Sequence, residues 1–224
     1  MILSEHGVDS LNPVSFGRPE ECGRLLVNLR GRKRWPLIFV SGPSGVGKRG
    51  LIRRSLLEKL RRLQSGKHLP VQISIPVTVR DSPTSIARQC IRAIVENHPG
   101  FQRRSSYEAL GKQLANLAET DPIGVGRRLC SLLQNFEKGT SGIAAIKVVI
   151  IIEGLDNMFV DRKRCEDESG QPRILSGQRD PFGFLRELLG ARSVLFSLTY
   201  RTWVGDLIRK VISQSSLDES ELYF

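Results

Sequence analysis

The stretch Gly42-Pro43-Ser44-Gly45-Val46-Gly47-Lys48 combines what an anionic ester needs: backbone able to fold around it and a cation at the end. Glycines in a Gly-x-x-x-x-Gly-Lys pattern permit φ values closed to residues with side chains, so successive N–H groups can converge on one phosphate. Lys48 adds charge for the terminal phosphates, and a helix beginning there turns its positive end to the same point. The full pattern continues with Ser or Thr, whose hydroxyl helps hold magnesium, but here the next residue is Arg49. Arg49 reads first as a solvated helix residue, and second as a cation that takes over part of the metal's charge-neutralising work. The bland alternative, a glycine turn with an incidental lysine, is disfavoured by the flanks. An apolar run, Leu37 to Val40, precedes the turn, and a helix-period segment follows it.

Two further groups have chemical potential. Ile146 to Ile152 is an almost unbroken β-branched run, the pattern of a central parallel strand buried on both faces, and it ends in Glu153-Gly154-Leu155-Asp156-Asn157. In an open α/β sheet, ligands sit at the carboxyl ends of the strands. Acids placed there can hold Mg²⁺ directly or through water, and can polarise an attacking water, so Glu153 and Asp156 are the candidate metal ligands and catalytic carboxylates. The competing reading is a solvated turn. Val194 to Tyr200 is another strand, with Arg201 at its carboxyl end. That guanidinium has two readings: contact with a γ-phosphate, or a pair with Glu153 or Asp156.

These groups need a framework. Leu51, Ile52, Ser55, Leu56, Leu57, Leu60 and Leu63 recur at helical spacing after the glycine turn, with Arg53, Arg54, Lys59, Arg61 and Arg62 on other faces. Val71 to Val77 alternates as a second strand, ended by Pro76. Three helices are predicted next: Pro83 to Glu96 capped by Ser82, Ser106 to Glu119, and Pro122 to Phe136 capped by Asp121. His98, beside Pro99-Gly100, reads as a turn residue. Phe16 to Leu26 reads as a tight turn feeding a helix with Leu25, Leu26 and Leu29 on its apolar face, and a short helix is expected over Phe182 to Leu189 and another over Trp203 to Val211. Residues 161–180 are charged and aperiodic, the composition of an exposed loop.

At 224 residues the chain has room for one α/β domain, expected over 16–224 behind a loose lead-in at 1–15. No run approaches the roughly 18 apolar residues of a membrane span and no signal pattern opens the chain, so it is expected to be soluble and intracellular, cytoplasmic or nuclear, without a membrane partner. Cys22, Cys90, Cys130 and Cys165 are scattered, which argues for reduced thiols rather than zinc ligands or a disulfide framework. The net charge of +11 is concentrated, since residues 24–67 hold thirteen Lys and Arg against one acid, Glu58. Such a field attracts nucleotide, nucleic acid or an acidic protein, but Trp35 and Phe39 are its only aromatic residues, too few to interleave with the cations and stack on bases.

The order of the pieces is informative: a Gly17-Arg18-Pro19-Glu20 box, the glycine loop about 24 residues on, an apolar strand ending Glu-Gly-Leu-Asp, and a strand ending in arginine. This resembles the nucleotide-binding domain of the STAND class of AAA+-related ATPases, the group with NACHT and NB-ARC domains. The resemblance implies a three-layer P-loop NTPase fold, a mostly parallel central sheet flanked by helices. It also implies ATP as ligand with Mg²⁺, bound by residues 42–49, with Gly17 and Arg18 on the adenine side and Arg201 sensing the γ-phosphate. The closing segment at 217–224 looks like the start of the family's helical lid. A protein partner or self-association is expected as well.

Three positions depart from the family pattern. Ser/Thr is Arg49, the first Asp of Asp-Gly-Leu-Asp-Glu is Glu153, and its final Glu is Asn157. Capture by amides and Lys48 survives these changes, whereas loss of a positioned general base costs about 10²–10⁴-fold in rate. The expected function is therefore an ATP-binding switch with weak or absent hydrolysis. One alternative is a DNA-associated AAA+ ATPase of the origin-recognition type. The other is a pseudo-ATPase scaffold that binds a protein partner.

Overall fold

The computed structural model describes residues 37–45, 47–63, 70–78, 80–103, 105–138, 145–159 and 183–201. In chain order these form β1 (Leu37–Ser41), then the helix α1, whose first turn Lys48–Gly50 runs through a π-helical Leu51–Leu56 into Leu57–Leu63. Next come β2 (Val71–Pro76), α2 (Pro83–Asn97), α3 (Pro99–Gln102), α4 (Ser105–Leu117) and α5 (Pro122–Phe136). The rest is β3 (Val148–Glu153), a 3₁₀ turn at Leu155–Phe159, α6 (Gly183–Leu188) and β4 (Val194–Tyr200). The lead-in 1–15, the Gly17-Arg18 box, Val46, the loop 161–180, and the segments read as helices before β1 and after Arg201 all lie outside the described residues.

The four described strands form one parallel sheet in the order β1-β4-β3-β2. Period-two side-chain alternation divides its core in two. Val148, Ile150 and Ile152 of β3, with Val194, Phe196, Leu198 and Tyr200 of β4, join the buried faces of α2, α4, α5 and α6. Val149, Ile151 and Leu195 instead meet Leu51, Ile52, Leu56 and Leu60 of α1. Helices on both faces of a parallel sheet give the three-layer α/β arrangement that the sequence implies. A one-residue slip of β4 would drive Ser197 and Thr199 into the larger cluster and Phe196 toward α1, so burial fixes the register. Each large side chain buried this way is worth about 1.5–3 kcal/mol, more than the ~1 kcal/mol of a helix cap.

That register has a functional consequence. Ser41 pairs with Tyr200, Thr199 with Glu153, and Glu153 with Pro76, so the carboxyl ends of all four strands stand level along one edge. Everything at that edge is placed by the core beneath it.

The helix starts follow the expected chemistry. Ser82 Oγ accepts from Ser85 N at 3.1 Å while Ser85 Oγ accepts from Ser82 N at 3.2 Å, a reciprocal capping box, and Asp121 Oδ1 accepts from Gly124 N at 2.9 Å. Beyond the expected helices, Pro99–Gln102 adds one short turn, and α4 begins at Ser105 and ends at Leu117 rather than Glu119. The strand read from Ile146 starts at Val148 and extends to Glu153. Cys90 and Cys130 are buried free thiols, both pushed up by burial, in keeping with core packing.

His98 is the turn residue it was read to be, and it is buried. Its Nδ1 accepts from Gly100 N at 3.0 Å, and its ring stacks on Phe136 and meets Phe101 edge-on. Burial first, then the Lys147 and Arg103 charges, push it down to about 4. The unfolded chain therefore binds a proton that the folded one refuses between about pH 6.5 and 4. Stability should fall as pH drops through that window, by on the order of 2–3 kcal/mol from this group. Thermal melts of native protein and His98→Asn, which keeps a capping acceptor without titrating, check this: the substitution should flatten the acid limb.

Candidate functional site

At the strand-end edge a cleft of about 580 Å³ opens, within the range of small-molecule and cofactor pockets. One wall is the glycine loop: Ser44, Gly45, Gly47, Lys48 and Arg49. The other comes from the ends of β3 and β4, with Glu153, Asp156, Asn157 and Arg201. The sequence-predicted acids, strand-end arginine and phosphate loop thus share one cavity. Gly17, Arg18 and Val46 lie outside the described residues.

Gly45 and Gly47 take φ of +78° and +91°, conformations that a Cβ would strain, and Gly47 leads directly into α1, its carbonyl accepting from Leu51 N at 3.0 Å. Lys48 follows. Its Nζ donates to the carbonyls of Gly42 at 2.6 Å and Pro43 at 2.7 Å, so the ammonium lies over the loop that carries it. This brings a cation and the bent backbone together at the place where β1 meets α1.

Across the cleft, Glu153 has a side chain only 4 % exposed, and both its oxygens face guanidinium groups. Oε2 is 2.5 Å from Arg49 Nε and Oε1 is 2.9 Å from Arg53 Nη2. Arg53 also donates to Ser74 Oγ of β2 at 2.6 Å. The preferred expectation for Arg49, a solvated helix residue, is corrected: 67 % of its side chain is exposed, but its guanidinium is fixed on a buried acid. The reason is burial, since a carboxylate withdrawn from water at a strand end requires a partner, and the nearest helix supplies two.

Asp156 is similarly committed. Its Oδ1 accepts from the Arg201 backbone N at 3.2 Å and its Oδ2 lies 3.3 Å from Arg201 Nε. Of the two expectations for Arg201, pairing with an acid is what the geometry has, and the acid is Asp156. Gly154 N donates to Thr199 Oγ1 at 3.3 Å, and Asn157 Nδ2 donates to Val77 O at 2.7 Å, joining the turn to β4 and to the exit of β2. Asn157 is therefore a strut in this arrangement, a role that needs the N–H of an amide and that a carboxylate could not fill.

Arg53 is the participant that sequence reading left among the solvated faces of α1. The signal was present: Arg49 and Arg53 stand four apart, so they share a helix face. What the sequence lacked was the identity of the acid opposite. Of the other arginines read as a basic belt, Arg54, Arg61 and Arg62 are exposed on α1, with Arg62 paired to Glu58 at 2.5 Å. Among the described residues, no group of three or more His, Cys, Asp or Glu could hold a metal ion.

Removing one of the two guanidiniums leaves Glu153 neutralised by the other, whereas removing both leaves a buried charge alone. Arg53→Ala should thus cost no more than ~1 kcal/mol in denaturant unfolding, and Arg49→Ala/Arg53→Ala about 3 kcal/mol. Adding Glu153→Gln to the double variant should recover most of that loss.

The family model described as nSTAND1, Novel STAND NTPase 1, matches residues 10–219. No curated protein matches the chain.

Proposed function

The chain belongs to the Novel STAND NTPase 1 family, a nucleotide-binding NTPase module, and on that premise we propose that it is an ATP-dependent switch with little or no hydrolysis. One observation carries the reading: the glycine loop with Lys48 and Arg49 lines the same cavity as Glu153, Asp156 and Arg201. ATP is favoured over GTP because the sequence has no Asn-Lys-x-Asp guanine motif.

In this mechanism, the amides from Gly45 to Lys48 hold the β-phosphate and Lys48 leaves the Gly42 and Pro43 carbonyls to bridge the β- and γ-phosphates. Arg201 exchanges Asp156 for the γ-phosphate, so its side chain has different partners with triphosphate and with diphosphate. That difference gives the ligand a handle on conformation, because only differential contacts shift an equilibrium. Slow turnover follows from the acids. Both Glu153 oxygens lie against guanidiniums, so the carboxylate at the end of β3 is not poised to orient a water or take its proton. A protein partner or a second copy of the chain reads the switch.

Calorimetric titration with ATP, ADP and GTP tests the reading. Native protein should bind ATP more tightly than GTP, and Lys48→Ala should lose about tenfold to a hundredfold in ATP affinity, the scale of one charge-assisted contact. Equal affinities for native protein and Lys48→Ala would contradict it.

A further inference from the structure

We infer that this cleft takes its nucleotide without magnesium, the Arg49 guanidinium acting in place of the metal. The inference rests on the nucleotide reading of the cleft and specifies the form of the ligand: the metal-free triphosphate.

The donor set does not fit magnesium. That ion requires a near-octahedral shell of oxygens at about 2.0–2.1 Å, and phosphate-loop proteins contribute a hydroxyl after the lysine and a strand-end carboxylate. Position 49 offers no oxygen. Both oxygens of Glu153 face guanidiniums, at 2.5 Å from Arg49 and 2.9 Å from Arg53. Asp156 accepts from the Arg201 backbone N–H at 3.2 Å through one oxygen, and only its other oxygen, 3.3 Å from Arg201 Nε, is released when that side chain turns to the phosphate. A metal at Glu153 would have to displace a guanidinium and then sit as a dication beside two monocations.

Arg49 has what the replacement needs. It follows Lys48 directly and lines the cleft, with most of its side chain exposed. Its 2.5 Å approach to Glu153 is through Nε, and a guanidinium carries further N–H groups in a fork that matches a phosphate in two parallel hydrogen bonds. Glu153 then acts as a positioning residue that orients this fork, with Arg53 balancing the remaining carboxylate oxygen. The cleft lining sets three cations, Lys48, Arg49 and Arg201, against two carboxylates, so it attracts a polyanion with no metal present.

Titration of ATP into the full chain, in EDTA and in excess magnesium, decides the matter. The expected result is binding in both, with dissociation constants within about threefold of each other. Binding at least about tenfold weaker in EDTA would overturn the inference while leaving the nucleotide site in place. Binding in neither condition would overturn the nucleotide reading and the inference with it. Arg49→Thr restores a hydroxyl and releases one Glu153 oxygen, and it should acquire a preference for magnesium of about tenfold or more. Arg49→Lys, which keeps the charge without the fork, should lose about tenfold in EDTA. If both variants retain the native ratio and affinities, Arg49 is not the substitute and the inference falls.

Discussion

The carboxylate of Glu153 is the point on which this molecule turns. It sits at the end of a strand buried on both faces, withdrawn from water, and it is neutralised from a different layer of the fold by Arg49 and Arg53. A buried acid without such a partner would cost several kcal/mol, so the pairing ties the first turns of α1 to the tip of β3. Since α1 begins where the glycine loop ends, the same contact sets how far the loop stands from the opposite wall. The cleft is thus defined by one charge cluster as much as by backbone.

The remaining polar groups follow a similar rule. Lys48 is engaged by loop carbonyls, Arg201 by Asp156, and Asn157 by the exit of β2. A phosphate entering this space meets cations that already have protein partners, and binding becomes an exchange of those partners. Exchange of this kind suits a switch, because Asp156, in the turn that follows β3, and Arg201, directly after β4, follow two adjacent paired strands, so a change of partner at Arg201 is felt at the ends of both. The Glu153 carboxylate, by contrast, stays between two guanidiniums.

Much of the framework was legible in the sequence because burial leaves a periodic trace. The β-branched runs marked β2 and β3, an apolar run marked β4, Ser82 and Asp121 marked their helix starts, and Pro122 to Phe136 emerges with the bounds that its pattern predicts. The short turn after His98 was not legible as a helix: its capping bond comes from an imidazole, and its stability from stacking on Phe136, which is distant in sequence. At the site, the residue types and their strand-end placement were readable, but the pairing was not. Whether Arg49 faces water or an acid depends on the register of β3 against the start of α1. Arg53 entered the site for that reason alone.

The central claim is that the loop from Gly42 to Lys48 and the strand ends opposite it close on a nucleotide. Amide hydrogen exchange with and without ATP, the ATP held in EDTA, reads this most directly. The account predicts slowed exchange in peptides covering residues 42–49, 153–157 and 199–201, with the interior of β3 already protected and unchanged. Protection that avoids all three segments at saturating ATP would contradict it.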